Sequence, residues 1–194
     1  MLLELAAILV GYLLGSFPSA YIITRIRKGI DIRDVDIGNV GAGSVLRQVG
    51  LWEGIVVIIV DMAKGGVAIF VAQALGISQL WVLGAGFAAI LGHSFPIYIG
   101  FRGGQGIATI MGVFFVLTPV AMIINTVLIG VPLLITRRLF VSLYLIIPLY
   151  PLFIWIFDGS MVLVIYSLVI LLYIGVRNLH RVKEVQAVFA RNKP

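Results

Sequence analysis

The sequence contains no cysteine, only two histidines, and few charges: 11% of its 194 residues are Asp, Glu, Lys or Arg. Without cysteine there is no disulfide, no thiolate nucleophile and no thiolate metal ligand. His93 and His180 alone do not suggest zinc. No run of carboxylates has the pattern that holds Mg²⁺, so no metal is expected. The scarcity of charge also sets the class. A soluble domain is about 45–50% apolar and about 25% charged, whereas this chain is 61% hydrophobic with a mean hydropathy of +1.16. That composition predicts a single all-α polytopic membrane domain over 1–194. The net charge of +6 is explained by orientation in a bilayer, so no nucleic-acid partner is inferred. Glu4 stands where a secretory leader would be basic, and Arg25, Arg27 and Lys28 follow the apolar run. The first segment therefore reads as a retained span.

A membrane span needs about 20 apolar residues. Stretches 2–24, 51–75, 78–99, 139–157 and 160–176 qualify. The stretch 107–135 is too long for one span and is broken by "LTPV" at 117–120, because Pro119 cannot donate to a helix and disfavours helix before it. It divides into 107–117 and 119–135. Eleven residues at about 1.5 Å each reach only about 17 Å, so the fourth of about seven segments is short or broken.

The cations support this count. Arg25, Arg27, Lys28, Arg33 and Arg47 lie in one loop, and Arg102 in another. Arg137 and Arg138 follow the fifth segment, and Arg177, Arg181, Lys183, Arg191 and Lys193 form the tail. Seven crossings put every one of them on a single face, which the positive-inside rule makes cytosolic. The N-terminus is then outside and the C-terminus in the cytosol.

Three stretches carry the possible chemistry. "DIGNVGAGSVLR" (36–47) places Gly38, Asn39, Gly41 and Gly43 before Arg47. Such glycines let backbone amides converge on an anion, and an arginine grips phosphate bidentately. A plain basic loop touching anionic lipid is the alternative. "DMAKG" (61–65) puts Asp61 and Lys64 on one helix face inside a span, as a phosphate-attracting charge or as a neutralised structural pair. "GHSFPIYIGFRGGQGIAT" (92–109) sets His93, Arg102, Gly103, Gly104, Gln105 and Gly106 at the edge of a span. Irregular backbone at that depth must be buried or line a cavity. A glycine loop leading into a helix at Ile107 is an anion cradle. The alternative is a flexible connector with His93 satisfied in the core. No strand precedes the glycines, so a dinucleotide fold is excluded. A Ser–His–Asp set stays open by count alone, although no nucleophile elbow appears.

These motifs resemble those of the integral-membrane bacterial acyl-phosphate:glycerol-3-phosphate acyltransferases. "GSFPSAY" (15–21), "KGIDIR" (28–33) and "GNVGA" (38–42) with Arg47 match the first family motif, "DMAKG" the second and "GHSFPIYIGFRGGQGIAT" the third. The resemblance covers nearly the whole chain, with the motifs in order. It implies transfer of an acyl group from acyl phosphate to the 1-hydroxyl of glycerol 3-phosphate, giving lysophosphatidate and inorganic phosphate for phospholipid synthesis. It also implies a multi-pass cell-membrane enzyme that works without a cofactor, amid membrane lipids, with its site facing the cytosol. His93, Asn39 and Lys64 would be catalytic. Gly38, Gly41, Arg47, Asp61, Arg102, Gly103, Gly104, Gln105, Gly106, Ser142 and Asn178 would bind substrate or phosphate. The sequence departs from the family pattern where Ile37 replaces a serine, Gly43 a threonine, Ser44 an asparagine and Gln105 a lysine, and where Gly175 stands in place of a histidine. Those losses raise the alternative of a weakly active or inactive paralogue that binds or transports a phosphorylated metabolite.

Overall fold

The computed structural model describes residues 1–35, 39–136, 142 and 145–191, Thr136 and the segment 178–191 in their backbone only. Among the described residues all regular structure is helical. The helices are α1 (Leu2–Ser16), α2 (Ser19–Lys28), α3 (Ala42–Gln48), α4 (Leu51–Ala74), α5 (Gln79–Ser94), α6 (Ile107–Leu117), α7 (Pro119–Thr136), α8 (Tyr150–Asp158) and α9 (Met161–Arg191). Three stretches, Leu2–Lys28, Leu51–Ala74 and Gln79–Ile99, are long and apolar enough to cross a membrane. Four shorter apolar helices follow, at Ile107–Leu117, Pro119–Ile135, Ile147–Asp158 and Met161–Arg177. Leu9, Ile59, Phe70, Leu80, Val127 and Leu172 are exposed, an apolar exterior suited to hydrocarbon.

Two segments differ from the sequence expectation, and of a third, the expected span 139–157, residues 139–141, 143 and 144 lie outside the described residues. The first span is not one helix: α1 stops at Ser16 and α2 restarts at Ser19, because Pro18 removes a donor from the ladder. The last segment runs 31 residues, to Arg191. At about 1.5 Å per residue it is about 46 Å long, well beyond a hydrocarbon core of about 30 Å. Where a break at Pro119 is expected, α6 ends at Leu117 and α7 begins at that proline. Thr118 at the break bonds back to the Phe114 carbonyl (3.2 Å) and pairs with the Tyr150 hydroxyl (2.6 Å).

Small residues let the helices approach closely, as membrane packing favours. On one seam Gly11 and Gly15 of α1 lie against Ala85 and Ala89 of α5, and Gly92 of α5 lies against Tyr12 and Gly15 of α1. On the other, Gly65 of α4 lies against Thr109 of α6, and Gly112 of α6 against Met62 of α4. At each of these positions a Cβ would collide with backbone. The first seam brings the Phe17–Pro18 elbow beside His93. The second brings the start of α6 beside Lys64.

Candidate functional site

Asp61 and Lys64 are one turn apart on α4 and both are buried. Lys64 Nζ lies 2.8 Å from Asp61 Oδ1 and donates to the Phe17 carbonyl at 3.1 Å. That carbonyl is available because Pro18 interrupts the helix. Ser19 Oγ, at the start of α2, donates to the same Asp61 oxygen at 2.7 Å. His93, near the end of α5, brings Nδ1 to 3.6 Å from Asp61 Oδ1, within ion-pair range but beyond a hydrogen bond. These groups join Val40, Pro96, Ile99 and Gly103 around one small pocket.

Ser19, His93 and Asp61 therefore do meet. The hydroxyl, however, is bonded to the carboxylate. A serine nucleophile needs its proton directed at the imidazole, so this cluster is not arranged as an acyl-enzyme triad.

The glycine loop closes over His93. Gly104 N–H donates to the His93 carbonyl at 3.2 Å. A Cβ on Gly104 would run into His93 Nε2 and the Val40 carbonyl; only glycine fits between them. Gly106 follows with φ of +84° as the N-cap of α6, a conformation that a side chain resists. No side chain caps α6, so its first amides are left for another acceptor. Asn39 Oδ1, His93 Nδ1, Ser94 Oγ and Thr109 Oγ1 are buried without a hydrogen-bond partner among the described residues. Buried polar atoms are nearly always satisfied, so Asn39 beside Gly41 and His93 beside Gly104 are placed to meet a polar ligand.

The other predicted residues lie variously. Gly41 and Asn39 are buried, and Gly41 is the N-cap of α3. The glycine-rich stretch is shorter than it reads, because Gly43 is already inside α3. Arg47 is exposed, with its guanidinium near Gly43. Arg102 is exposed and Gln105 half-buried. Ser142 is fully buried. Gly38 lies outside the described residues, as does the Asn178 side chain.

Two contributors escaped the sequence reading. Ser19 lies within "GSFPSAY", and a hydroxyl directly after a proline break in a span is a usable signal. Arg177, counted as a tail cation, reaches the loop instead. Its Nη2 donates to the Ser94 carbonyl (2.9 Å) and the Gly104 carbonyl (3.2 Å), and its Nε to the latter at 3.3 Å. Its guanidinium stacks 4.5 Å from the centre of the Phe95 ring. Arg33 ties the same loop from another side, donating Nη1 to the Ile99 carbonyl at 3.0 Å while paired with Asp31. That pairing holds the Asp31 carboxyl below its ordinary range.

One residue beyond Gly106 an apolar cavity begins, lined by Ile107, Met111, Phe114, Asn125, Tyr150, Ile174 and their neighbours on α6, α7 and α9. Polar and apolar compartments thus meet at the head of α6.

A family model described as glycerol-3-phosphate acyltransferase matches residues 5–186. Glycerol-3-phosphate acyltransferase 1 of Dehalococcoides mccartyi is 37% identical over 177 residues, covering 88% of this chain and 85% of that protein. The glycerol-3-phosphate acyltransferase of Geobacter sulfurreducens is 36% identical over 189 residues, covering 95% and 96%. The crystal structure of PlsY, an integral membrane glycerol 3-phosphate acyltransferase, in its glycerol 3-phosphate form superposes with a TM-score of 0.85. Its identity is 29%, over 95% of this chain and 92% of that one.

Proposed function

From the premise that the chain belongs to the glycerol-3-phosphate acyltransferase family, we propose that it transfers an acyl group from acyl phosphate to the 1-hydroxyl of glycerol 3-phosphate. The hydroxyl oxygen attacks the acyl carbonyl carbon, and the bond from that carbon to the phosphate oxygen breaks. The hydroxyl proton passes to a phosphate oxygen. Lysophosphatidate and inorganic phosphate leave. The donor is already activated, so the protein needs chiefly to hold two phosphorylated molecules in line and stabilise developing charge.

The observation that carries this reading is the junction at the head of α6. A cradle of amides, with His93 and Lys64 beneath it, opens beside an apolar cavity that suits a fatty chain. Phosphates take the amides of 103–106 and the start of α6, with Gly41, Arg47 and Arg102 at the rim. Lys64 spends two of its three N–H donors on Asp61 and Phe17, so it keeps one, and its charge, for substrate. His93 and Asn39 orient the polar groups of the acceptor. Gln105, Ser142, Asn178 and Gly38 are assigned to substrate by resemblance. Matches across 5–186 support one acyltransferase domain and lend nothing to the transport alternative. The seven apolar segments, with every loop cation on one face, support seven crossings, an outer N-terminus and a site open to the cytosol.

The test is purified protein in lipid nanodiscs supplied with acyl phosphate. Phosphate release that requires glycerol 3-phosphate supports the reading. Release at the same rate without it would reduce the protein to an acyl-phosphate hydrolase.

A further inference from the structure

We propose that Arg177 is a positioning residue that aims the phosphate-binding amides of the glycine loop. The proposal rests on the reading of that loop as a phosphate cradle and adds what sets its geometry. The segment from Ser94 to Gly106 contains a proline, a single 3-10 turn and no long helix; its internal bonds, from Ile99 and Phe101 N–H to the Pro96 carbonyl, fix its first half and leave the glycines to ties from outside. Arg177 bonds to the carbonyls of Ser94 and Gly104, which lie at opposite ends of that segment. A planar guanidinium can staple two carbonyls in a way that a lysine cannot. Phe95, stacked on its face, holds the plane of the fork.

The direction of the amides follows from peptide geometry. A trans peptide is planar, with its C=O and N–H pointing opposite ways. With the Gly104 carbonyl turned onto Arg177, the Gln105 N–H must point away from the guanidinium. Gly104 N–H is already used by the His93 carbonyl, which leaves the Gly103, Gln105 and Gly106 amides as loop donors, and the Arg177 staple sets the direction of the one at Gln105. The cation also polarises the Gly104 carbonyl, which strengthens the Gln105 N–H as a donor. Among the described residues Arg177 Nη1 makes no hydrogen bond, so the arginine additionally places positive charge beside a loop where position 105 has none.

The experiment measures binding of glycerol 3-phosphate and of inorganic phosphate by calorimetry in nanodiscs. It compares wild type, Arg177→Gln, Arg177→Lys and, as a charge control further along α9, Lys183→Gln. Charge-assisted bonds are about twice as strong as neutral ones, so Arg177→Gln should weaken binding about tenfold while its melting temperature stays near that of wild type. Arg177→Lys keeps the charge without the fork and should fall between, and Lys183→Gln should bind as wild type. In turnover assays the Arg177→Gln loss should appear in KM more than in kcat. Wild-type affinity in Arg177→Gln overturns the proposal and leaves the phosphate cradle standing. Absence of phosphate binding in the wild type overturns both. If Arg177→Gln does not fold, Arg177→Lys decides: binding at least about threefold weaker supports the fork, and unchanged binding overturns it.

Discussion

Replacing Lys64 by Met should unfasten the elbow between α1 and α2. Nζ holds both the Asp61 carboxylate and the Phe17 carbonyl, and both side chains of the pair are buried, at 7% and 2% exposure. Met fills a similar volume but leaves Asp61 with the Ser19 hydroxyl and, farther off, His93. Removing one member of a buried ion pair costs about 3–5 kcal/mol, because the remaining charge is stranded. Lys64→Met should therefore melt well below wild type. Adding Asp61→Asn removes the stranded charge while Ser19 can still donate to the amide oxygen. The double variant should recover much of the loss, with an interaction energy of about 1–3 kcal/mol in a double-mutant cycle. Melting in a fixed detergent, with denaturant unfolding as a second readout, supplies the numbers. The reasoning fails if Lys64→Met is as stable as wild type, or if the double variant is no more stable than the single. Stability unchanged with glycerol 3-phosphate binding lost would make Lys64 purely a ligand.

Gln105→Lys should raise acyl transfer, since a charged donor in place of a neutral amide strengthens phosphate binding by roughly 1–2 kcal/mol; initial rates against each substrate test this, and a slower mutant would mark the glutamine as an adapted ligand. Gly104→Ala should push the loop off His93 at a cost of about 1–3 kcal/mol and depress turnover, whereas Gly130→Ala in α7, where a Cβ meets nothing within 4 Å, should be silent in both stability and rate assays. Reporter fusions after residues 28, 102, 138 and 185 should read cytosolic and those near 77 and 158 external. A cytosolic signal at 158 would contradict seven crossings.

The spans are legible because each is an apolar run ended by turn residues or charge, and the break at Pro119 because proline acts locally; α3, which is short and not apolar, is not. Pro18 carries the same signal inside a long apolar run that hides it, and the elbow it makes is what offers the Phe17 carbonyl to Lys64. Pro132, by contrast, lies within α7 without ending it. The pairing of Asp61 with Lys64 follows from their spacing on one helix. Their meeting with Ser19 and His93 does not, because it depends on glycine seams between helices far apart in sequence. Arg177 was hidden for a similar reason. Its position after the last apolar run fits a cation that merely orients the chain, and only the packing of α9 beside the loop reveals its reach.

The most direct measurement of acyl transfer follows a heavy-oxygen label placed in the 1-hydroxyl of glycerol 3-phosphate. Purified protein is given labelled acceptor and unlabelled acyl phosphate, and the products are weighed by mass spectrometry. Attack of the hydroxyl on the acyl carbon predicts label in the ester oxygen of lysophosphatidate and none in the released phosphate. Free fatty acid beside unconsumed labelled glycerol 3-phosphate, or free fatty acid with a doubly phosphorylated glycerol that carries the label, would contradict the account.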